Sequence, residues 1–524
     1  MSKVSHEALY QKLQDSYIID KCEQYAHWTL PQLMADFAEI RSSGGRANVE
    51  RDYQSVGALL TNHLSSKLAR LLFPANHPFF RIGLSDALKR MAQEGGVQES
   101  ELQSALAEHE QNSCKRLFLN ASYAQLILAL KWLIVTGNVL LYRDTANGST
   151  TAYGMQCFVT RRDGRGGLID CVHREGTYVE ALSQELQDLL RTKNRAKYSR
   201  PEQEVTVYTR IHRKMGTNGN VFYEVSQEID NTPVGEVSTY PAHLCPWIVA
   251  TWSLIPGEHY GRGMVEDYAG GFAKLSDLSE AHALYSVEIM RVINLVSSGS
   301  GTDIDDIATA ETGEYVRGDP NTVAAHEAGD AGKLQQTGAE IERVYQQLSR
   351  AFMYQANTRD AERVTAYELQ QEAQEAEHAL GGVYSSLSQV LQLPLAHLLL
   401  VESRSEMLEG IVTGDVKLDI AAGLEALGRS SDVQNLLNAA QEAAAIVPAL
   451  TQIDTRVNPH RVMDMVYAGR SVNTKLIHKT KAEIEDEQAA DQQIAEGQQQ
   501  VMQAAAGADT LAQIEALQSV QGPA

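Results

Sequence analysis

The chain has 524 residues, more than one hydrophobic core usually serves, so its length predicts two or more domains. It carries 45 Lys and Arg against 67 Asp and Glu, and this net charge of −22 argues against general binding to a phosphate backbone, which basic side chains drive. Its five cysteines show no C-x-x-C spacing, which argues against a disulfide framework or a zinc site and favours buried thiols in a reducing compartment.

The sequence contains no apolar run near the eighteen residues of a membrane span. Its first residues, MSKVSHEALYQKLQDSY, lack the apolar core of a signal peptide. We therefore expect a soluble protein made in the cytoplasm, with no membrane partner.

The first region, to about Asn138, has apolar residues at helical spacing. A helix is predicted from about Ser113 to Val135, with Gly137 as its left-handed cap. Residues 139–256 change to short β-rich runs separated by turns, with one inserted helix near Leu182 to Leu190. Helices followed by strands indicate a mixed α+β fold, mainly helical.

Two helices with apolar faces are predicted next, one over residues 260–296 and a second from about residue 339 to residue 354. Between them, residues 297–338 contain seven glycines. This connection is too long for an ordinary loop of a compact domain, so it predicts a small protruding subdomain.

A polar loop holding Arg359 and Arg363 precedes a long predicted helix. Thr365 and Glu368 match a capping box, and the helix is expected to run about 43 Å to Leu393, where Pro394 kinks or ends it. Its apolar stripe advances by four and three residues, at Leu369, Ala373, Ala376, Leu380, Val383, Leu387 and Val390.

Gly381 and Gly382 cost such a helix about 1 kcal/mol each, so they predict the close approach of a neighbouring backbone. Further helices are expected to residue 481. The last 43 residues, 482–524, have eight acids and no Lys or Arg, and their Gln/Ala-rich composition favours partial disorder.

Several motifs that could bind a phosphate or a metal, or form a catalytic site, are incomplete or absent. EAGDAGKL lacks a phosphate-binding glycine at Glu327 and a hydroxyl at Leu334, and neither H-E-x-x-H nor G-x-S-x-G occurs. Asp303, Asp305 and Asp306 could hold a hard cation but lack the glycine and distal Glu of a calcium loop, which favours a solvated or partner-facing patch. We therefore expect no catalytic residue, no metal and no cofactor.

Basic residues cluster in two turns, at Arg161 to Arg165 and at Lys193 to Arg200. They form either a solvated surface or a contact with acidic surfaces of neighbouring molecules.

Nine blocks, in order from about Tyr53 to Asp432, resemble the portal (head-to-tail connector) proteins of short-tailed, podovirus-type bacteriophages. The blocks are DYQSVGALLTNHLSSKLARLLFP, GNVLLY, EVTVYTRI, YPAHLCPWI, YGRGMVEDY, AFMYQ, ERVTAYEL, LGGVYSSLSQVLQLPL and GLEALGRSSD. The likeness fades in the C-terminal tail.

The resemblance implies a portal fold. Residues 1–259 would form an α/β wing, 260–296 and 339–354 the two stem helices, 297–338 a small α/β clip, 355–364 a tunnel loop and 365–481 the inner wing and crown. Arg359 or Arg363 would then face the DNA channel, with surface or helix-terminal salt bridging as the alternative. Clip contacts with partners would involve Asp303, Asp305, Asp306, Glu314 and Arg317, and subunit packing would involve Leu369, Leu380, Gly381, Gly382 and Leu387.

The resemblance also implies a homo-oligomer, a dodecameric ring at one capsid vertex of the virion. Double-stranded DNA would pass through it without sequence specificity, and terminase, tail adaptor proteins, major capsid and scaffolding proteins and internal core proteins would be its partners. Two other classes stay open at this point, a non-viral helical scaffold or adaptor and an unrecognised hydrolase on the α+β region.

Overall fold

The computed structural model describes residues 4–35, 49–75, 78–85, 90, 99–216, 219–290, 292–297, 303–317, 321, 323–327, 331–354, 380–403, 416–420, 440–444, 446, 448 and 458–469. The chain divides into two compact units, Met1–Leu427 and Gly428–Ala524. The described part contains both helices and antiparallel sheets, so the mixed α+β class is confirmed.

Helices dominate the first region, as predicted. They are α1 (His6–Leu13), α2 (Ser16–His27), α3 (Val56–Leu72), α4 (Glu99–Lys115) and α5 (Ser122–Thr136). The main core lies between α3 and α5, where Leu64 and Leu130 are fully buried.

The helix predicted from Ser113 to Val135 is divided in two. Helix α4 ends at Lys115 and α5 begins at Ser122, because Asn120 and Ala121 between them adopt left-handed conformations that a helix cannot include. The predicted cap is confirmed: Gly137 has a φ of 75°, and its N–H donates to the carbonyl of Leu133 at 3.0 Å.

The β-rich region forms two antiparallel sheets. The three-stranded sheet has the order β3 (Ser149–Tyr153), β2 (Asn138–Asp144), β9 (Trp247–Thr251). The five-stranded sheet follows chain order through β4 (Phe158–Arg162), β5 (Leu168–Tyr178), β6 (Glu204–Met215), β7 (Val221–Ile229) and β8 (Thr232–Pro241). The inserted helix is present as α6 (Gln184–Lys193).

One strand pairing was not anticipated from the sequence. Strand β1 (Phe80–Leu84) pairs antiparallel with β12 (Val416–Ile420), which lies more than 300 residues later in the chain. Sequence patterns do not reveal this pairing, because each strand is only five residues long and its partner is far away in the sequence.

The two predicted stem helices are present with different limits. The first comprises α7 (Met264–Asp267) and α8 (Ala269–Ile289), and the second, α10, spans Ala331–Ala351. They pack side by side through an aromatic contact between Phe272 and Phe352, whose ring centroids lie 5.6 Å apart.

The prediction that the first helix continues to residue 296 is wrong. Val292–Val296 forms strand β10, which pairs antiparallel with β11 (Val323–Glu327) beyond the two helices. The run V-I-N-L-V is rich in β-branched residues, which favour strands over helices. A short helix, α9 (Ile304–Thr309), lies between these strands in the chain.

The prediction of one continuous helix to Leu393 is also wrong. Gly381 and Gly382 have φ values of +58° and +88°, so they interrupt helical geometry. Helix α11 (Val383–Leu387) follows, then a π-helical segment (Ser388–Gln392), then α12 (Leu393–Glu402).

Pro394 does not end the helix. It is the second residue of α12, which continues directly from the π-helical segment. A Cβ added to Gly381 or Gly382 would meet no described atom of this chain within 4 Å. Left-handed φ values therefore account for both glycines, and the approach of a neighbouring subunit there stays a prediction.

In the second unit, helix α13 spans Pro459–Gly469. The predicted capping box at Thr365 and the tail from residue 482 lie outside the described residues.

Across the described part of the chain, no single helix is long and apolar enough to cross a membrane. One bent pair, Leu102–Phe118 with Ser122–Thr136, passes by length and composition at an angle of 75°.

Candidate assembly and channel surfaces

A buried ion pair holds α12 against the three-stranded sheet. Arg143 of β2 donates from Nε to Oε1 of Glu402 at 2.6 Å and from one terminal nitrogen to Oε2 at 2.8 Å. Its other terminal nitrogen donates to the hydroxyls of Ser122 and Thr150, at 3.0 and 2.8 Å. Both charged side chains are almost completely buried, so this network fixes the end of α12 with paired charges and satisfied donors.

The predicted tunnel loop begins just after a constrained helix end. Helix α10 is followed by Met353, a buried residue with a φ of 53°, an uncommon left-handed conformation for a side chain of this size. The ring of Tyr354 lies edge-on to His63 of α3, with centroids 5.1 Å apart. Burial and the neighbouring Lys67 lower the pKa of His63, which favours its neutral form. This contact holds Tyr354, just after the end of α10, against α3.

The half of α8 farthest from the core has an exposed apolar surface. Leu284, Val287 and Met290 retain 58%, 65% and 71% of their accessible surface, whereas Phe272 and Leu275 near the other end are fully buried. Leu295 of β10 and Ile304 of α9 are exposed as well. We call Leu284, Val287 and Met290, which follow one another at helical spacing, the distal apolar stripe.

Such a stripe is unusual on a monomer, because clustered apolar side chains gain free energy when another surface covers them. It is the type of surface through which copies of a chain associate.

The predicted clip acids have a local structural role. Asp303 is the N-cap of α9, and its carboxylate accepts from the N–H of Asp305 at 3.0 Å. Asp305 and Asp306 lie in the first turn, where the helix dipole favours negative charge. All three are exposed, and no group of three or more His, Cys, Asp or Glu in the described residues is placed to hold a metal ion.

The two other predicted clip residues lie on the segment that follows α9. The carboxylate of Glu314 accepts from the N–H of Glu311 at 2.9 Å, and Arg317 is exposed. Tyr315 between them is fully exposed. This residue has no role in the sequence-based prediction, although an aromatic side chain between two charged residues of a glycine-rich segment could have suggested one.

The predicted packing residues differ in what the structure shows of them. Leu380 and Leu387 are buried in the core of their own chain, so they are covered before any second copy binds. Leu369, Arg359 and Arg363 lie outside the described residues.

The first basic cluster is partly neutralised within the five-stranded sheet. Arg161, Arg210 and His212 surround the fully buried Asp170, with the Arg210 and His212 nitrogens at 2.7 Å. Burial raises the pKa of Asp170, but hydrogen bonds and charge from Arg210 and Arg161 outweigh it, so the pKa is lowered. In the second cluster, Lys197 pairs with Asp230. Both clusters therefore contribute to the chain's own structure.

Residues 5–477 match the family described as "Bacteriophage head to tail connecting protein". This chain belongs to that family. The match covers most of the chain, and it confirms the resemblance inferred from the sequence blocks. It also rejects the scaffold and hydrolase alternatives, since the family is structural and not enzymatic.

Two named relatives are similar in sequence to this chain over most of their length. The chain is 43% identical over 510 residues to "Portal protein" of Pseudomonas phage phiKMV, covering 97% of both chains. It is 30% identical over 437 residues to "Portal protein" of Escherichia phage T7, covering 82% of this chain and 79% of the relative.

Among solved structures, a chain from the neck of an empty GTA particle covers 74% of this chain and 86% of its own length. Its sequence identity is 11% and its TM-score is 0.34, which is too low to carry an argument about architecture. The family places this connector in the virion, at the junction of head and tail.

Proposed function

We propose that copies of this connector form a ring at one capsid vertex and that DNA enters and leaves the head through the ring. The observation that carries the ring is the distal apolar stripe, in which large apolar side chains project from the stem without cover from the described residues of the same chain. Relatives named portal proteins support the same role.

The proposed regions of the chain are assigned by their position relative to the two stem helices. Residues 1–259 form the wing, 260–296 and 339–354 the stem, 297–338 the clip, 355–364 the tunnel loop and 365–481 the inner wing and crown. The paired β10 and β11 at the far end of the two helices support a separate clip.

We expect twelve subunits in the ring. Twelve copies of a 57.6 kDa chain, 12 × 57.6, have a mass of about 691 kDa. Native mass spectrometry of the purified protein tests this number. A mass equal to another integer multiple of the chain mass would correct the subunit count. A mass equal to that of a single chain would refute the ring.

The net charge suits passage of a polyanion. A ring of twelve chains of −22 carries −264, so its overall field repels DNA and limits adhesion during transport. Basic groups in the channel would act only at short range, because screening limits each interaction to about 8 Å at physiological salt.

Arg359 or Arg363 is proposed to face this channel and to contact phosphates transiently. The support is their position just after the fixed end of α10. A structure of the assembled ring tests the proposal, which predicts at least one guanidinium lining the lumen. Both side chains buried in salt bridges between subunits, away from the axis, would refute it.

The clip is proposed to bind terminase during packaging and tail adaptor proteins afterwards, through Asp303, Asp305, Asp306, Glu314 and Arg317. The wing would contact major capsid and scaffolding proteins, and the crown internal core proteins. Reversing the charge of Asp305 and Asp306, which cap no helix themselves, is expected to impair tail attachment or packaging in infected cells. Normal packaging and tail attachment would count against this role.

A further inference from the structure

A row of charged side chains crosses three strands of the five-stranded sheet. In the strand register, Arg161 of β4 is opposite Asp170 of β5, and Asp170 is opposite His212 of β6. Arg210 lies two residues before His212, so its side chain is on the same face of the sheet. Asp170 is fully buried and accepts hydrogen bonds from all three basic side chains. We call Arg161, Arg210 and His212 the Asp170 cluster.

The Asp170 cluster has more positive charge than the buried carboxylate needs. One cation is enough to neutralise a buried carboxylate. The two arginines supply two positive charges against the single negative charge of Asp170, so one positive charge remains, and protonation of His212 adds another. The cluster is therefore locally positive in a chain whose net charge is −22. Neutralisation of Asp170 alone leaves the second arginine unexplained.

All three basic side chains of the Asp170 cluster are accessible and have unused N–H groups. The side chains of Arg161, His212 and Arg210 retain 45%, 32% and 27% of their accessible surface. Among the described residues, Arg161 donates only to Asp170, through one terminal nitrogen. Arg210 uses Nε and one terminal nitrogen for Asp170, at 3.0 and 2.7 Å, and its other terminal nitrogen has no described acceptor. Nδ1 of His212 faces Asp170 at 2.7 Å, which leaves Nε2 for another group.

Asp170 orders the cluster before any ligand binds. An exposed arginine loses side-chain freedom when it binds a ligand, and this loss weakens binding. Here, hydrogen bonds to a buried carboxylate already hold both guanidiniums in place. The unused N–H groups of Arg161 and Arg210 can therefore bind an anion at a smaller entropic cost than those of a free surface arginine.

We propose that the Asp170 cluster is a docking site for an acidic segment of another protein chain. Carboxylate side chains of that segment would accept hydrogen bonds from the unused N–H groups of Arg161 and Arg210. Charge-assisted hydrogen bonds between guanidinium and carboxylate are short and strong, and the planar fork of donors matches the two carboxylate oxygens. Nε2 of His212 would donate to the same segment when the ring is protonated.

Charge favours a protein carboxylate over a nucleic acid backbone as the occupant. Binding along DNA is driven by many cations that neutralise successive phosphates. The cluster has an excess of only one or two positive charges, and Glu224 of β7 lies opposite His212 in the strand register. Glu224 is already paired with Lys214, so it adds no positive charge to the row. The site lies in the β-rich region, and its argument does not use the stem or the proposed ring.

The experiment uses the full-length protein at physiological salt. The probe is a fluorescently labelled tetraglutamate peptide, and tetraglutamine with the same label is the control peptide. Fluorescence anisotropy should show saturable binding of tetraglutamate. We expect Arg161→Gln to weaken this binding on the order of tenfold, a change equivalent to about 1.4 kcal/mol. Asp170 keeps Arg210 and His212 in this variant, so circular dichroism should be unchanged.

Two further variants separate a built site from general attraction by positive charge. Arg161→Lys keeps the charge but loses the planar fork, so it should also bind tetraglutamate more weakly than the unchanged protein. Arg195→Gln is the matched control, because Arg195 is an exposed arginine that forms no ion pair with any described residue. It removes the same charge outside the site and should bind the peptide as the unchanged protein does.

Several results would overturn the proposal. Equal binding of tetraglutamine, or equal weakening by Arg195→Gln and Arg161→Gln, would show that the cluster does not recognise carboxylates. Displacement of the probe by duplex DNA at a lower concentration of phosphate groups than of carboxylates in unlabelled tetraglutamate would identify a phosphate site. If Arg161→Gln prevented rings that the unchanged protein forms, the occupant would be a second copy of this chain. A lack of rings in the unchanged protein would contradict the proposed function but not this site.

Discussion

Replacing Arg143 by Met is expected to destabilise the folded chain by about 3–5 kcal/mol. The substitution removes the only cation that contacts the Glu402 carboxylate among the described residues, and that carboxylate is buried. An uncompensated buried charge must then be protonated or drawn toward solvent, and either change loosens α12 from the sheet. Urea unfolding monitored by circular dichroism measures the effect as a lower midpoint.

Two variants separate charge burial from a general effect of losing an arginine. Arg262→Met removes an exposed arginine that pairs with Glu258 and Glu266, and it should change stability by no more than about 1 kcal/mol. The double variant Arg143→Met, Glu402→Leu should recover most of the loss, because no unpaired charge remains buried. A single variant as stable as the unchanged protein would show that the pair does not hold α12.

Replacing Leu284 by Lys is expected to prevent assembly into rings. In a ring every subunit repeats the same contact, and full burial of a Leu side chain contributes about 1.5–3 kcal/mol, which a lysine both forfeits and opposes by burying its charge. Sedimentation velocity should show the stable ring replaced by free chains at micromolar concentration. Circular dichroism should be unchanged, because Leu284 is exposed in the single chain.

Gln347→Lys provides the comparison for this variant. Gln347 is an exposed polar residue on α10, so the change adds the same charge to the stem without removing an apolar contact. This variant should assemble normally. If Leu284→Lys also assembles normally, the distal apolar stripe does not form the subunit interface.

Local patterns in the sequence predicted much of the fold. Apolar periodicity identified the two long helices α8 and α10, alternation and turn residues identified the β-rich region, and Gly137 marked a helix end. The errors arose where apolar spacing predicted a helix but the backbone preference of particular residues outweighed it. The regular spacing around Leu380 and Leu387 suggested a continuous helix, but two consecutive glycines adopt left-handed conformations and interrupt it. The apolar residues of Val292–Val296 continue the helical spacing, which predicted a longer helix. Because several of them are β-branched, they form β10 instead, and α8 ends at Ile289.

The candidate surfaces were less accessible to sequence reasoning. The acidic cluster at Asp303 was visible, but its role as an N-cap depends on where α9 begins. Arg143 and Glu402 are 259 residues apart, and nothing local to either marks the other as its partner. The distal apolar stripe has the same spacing as the buried part of α8, so only the folded chain separates Leu284 from Leu275.

Negative-stain electron microscopy of the purified full-length protein tests the central claim most directly. The proposed function predicts annular particles with a central channel in end views and a stem projecting from a wider body in side views. A preparation of folded protein that contains only monomers or dimers, with no annular particles, would contradict it.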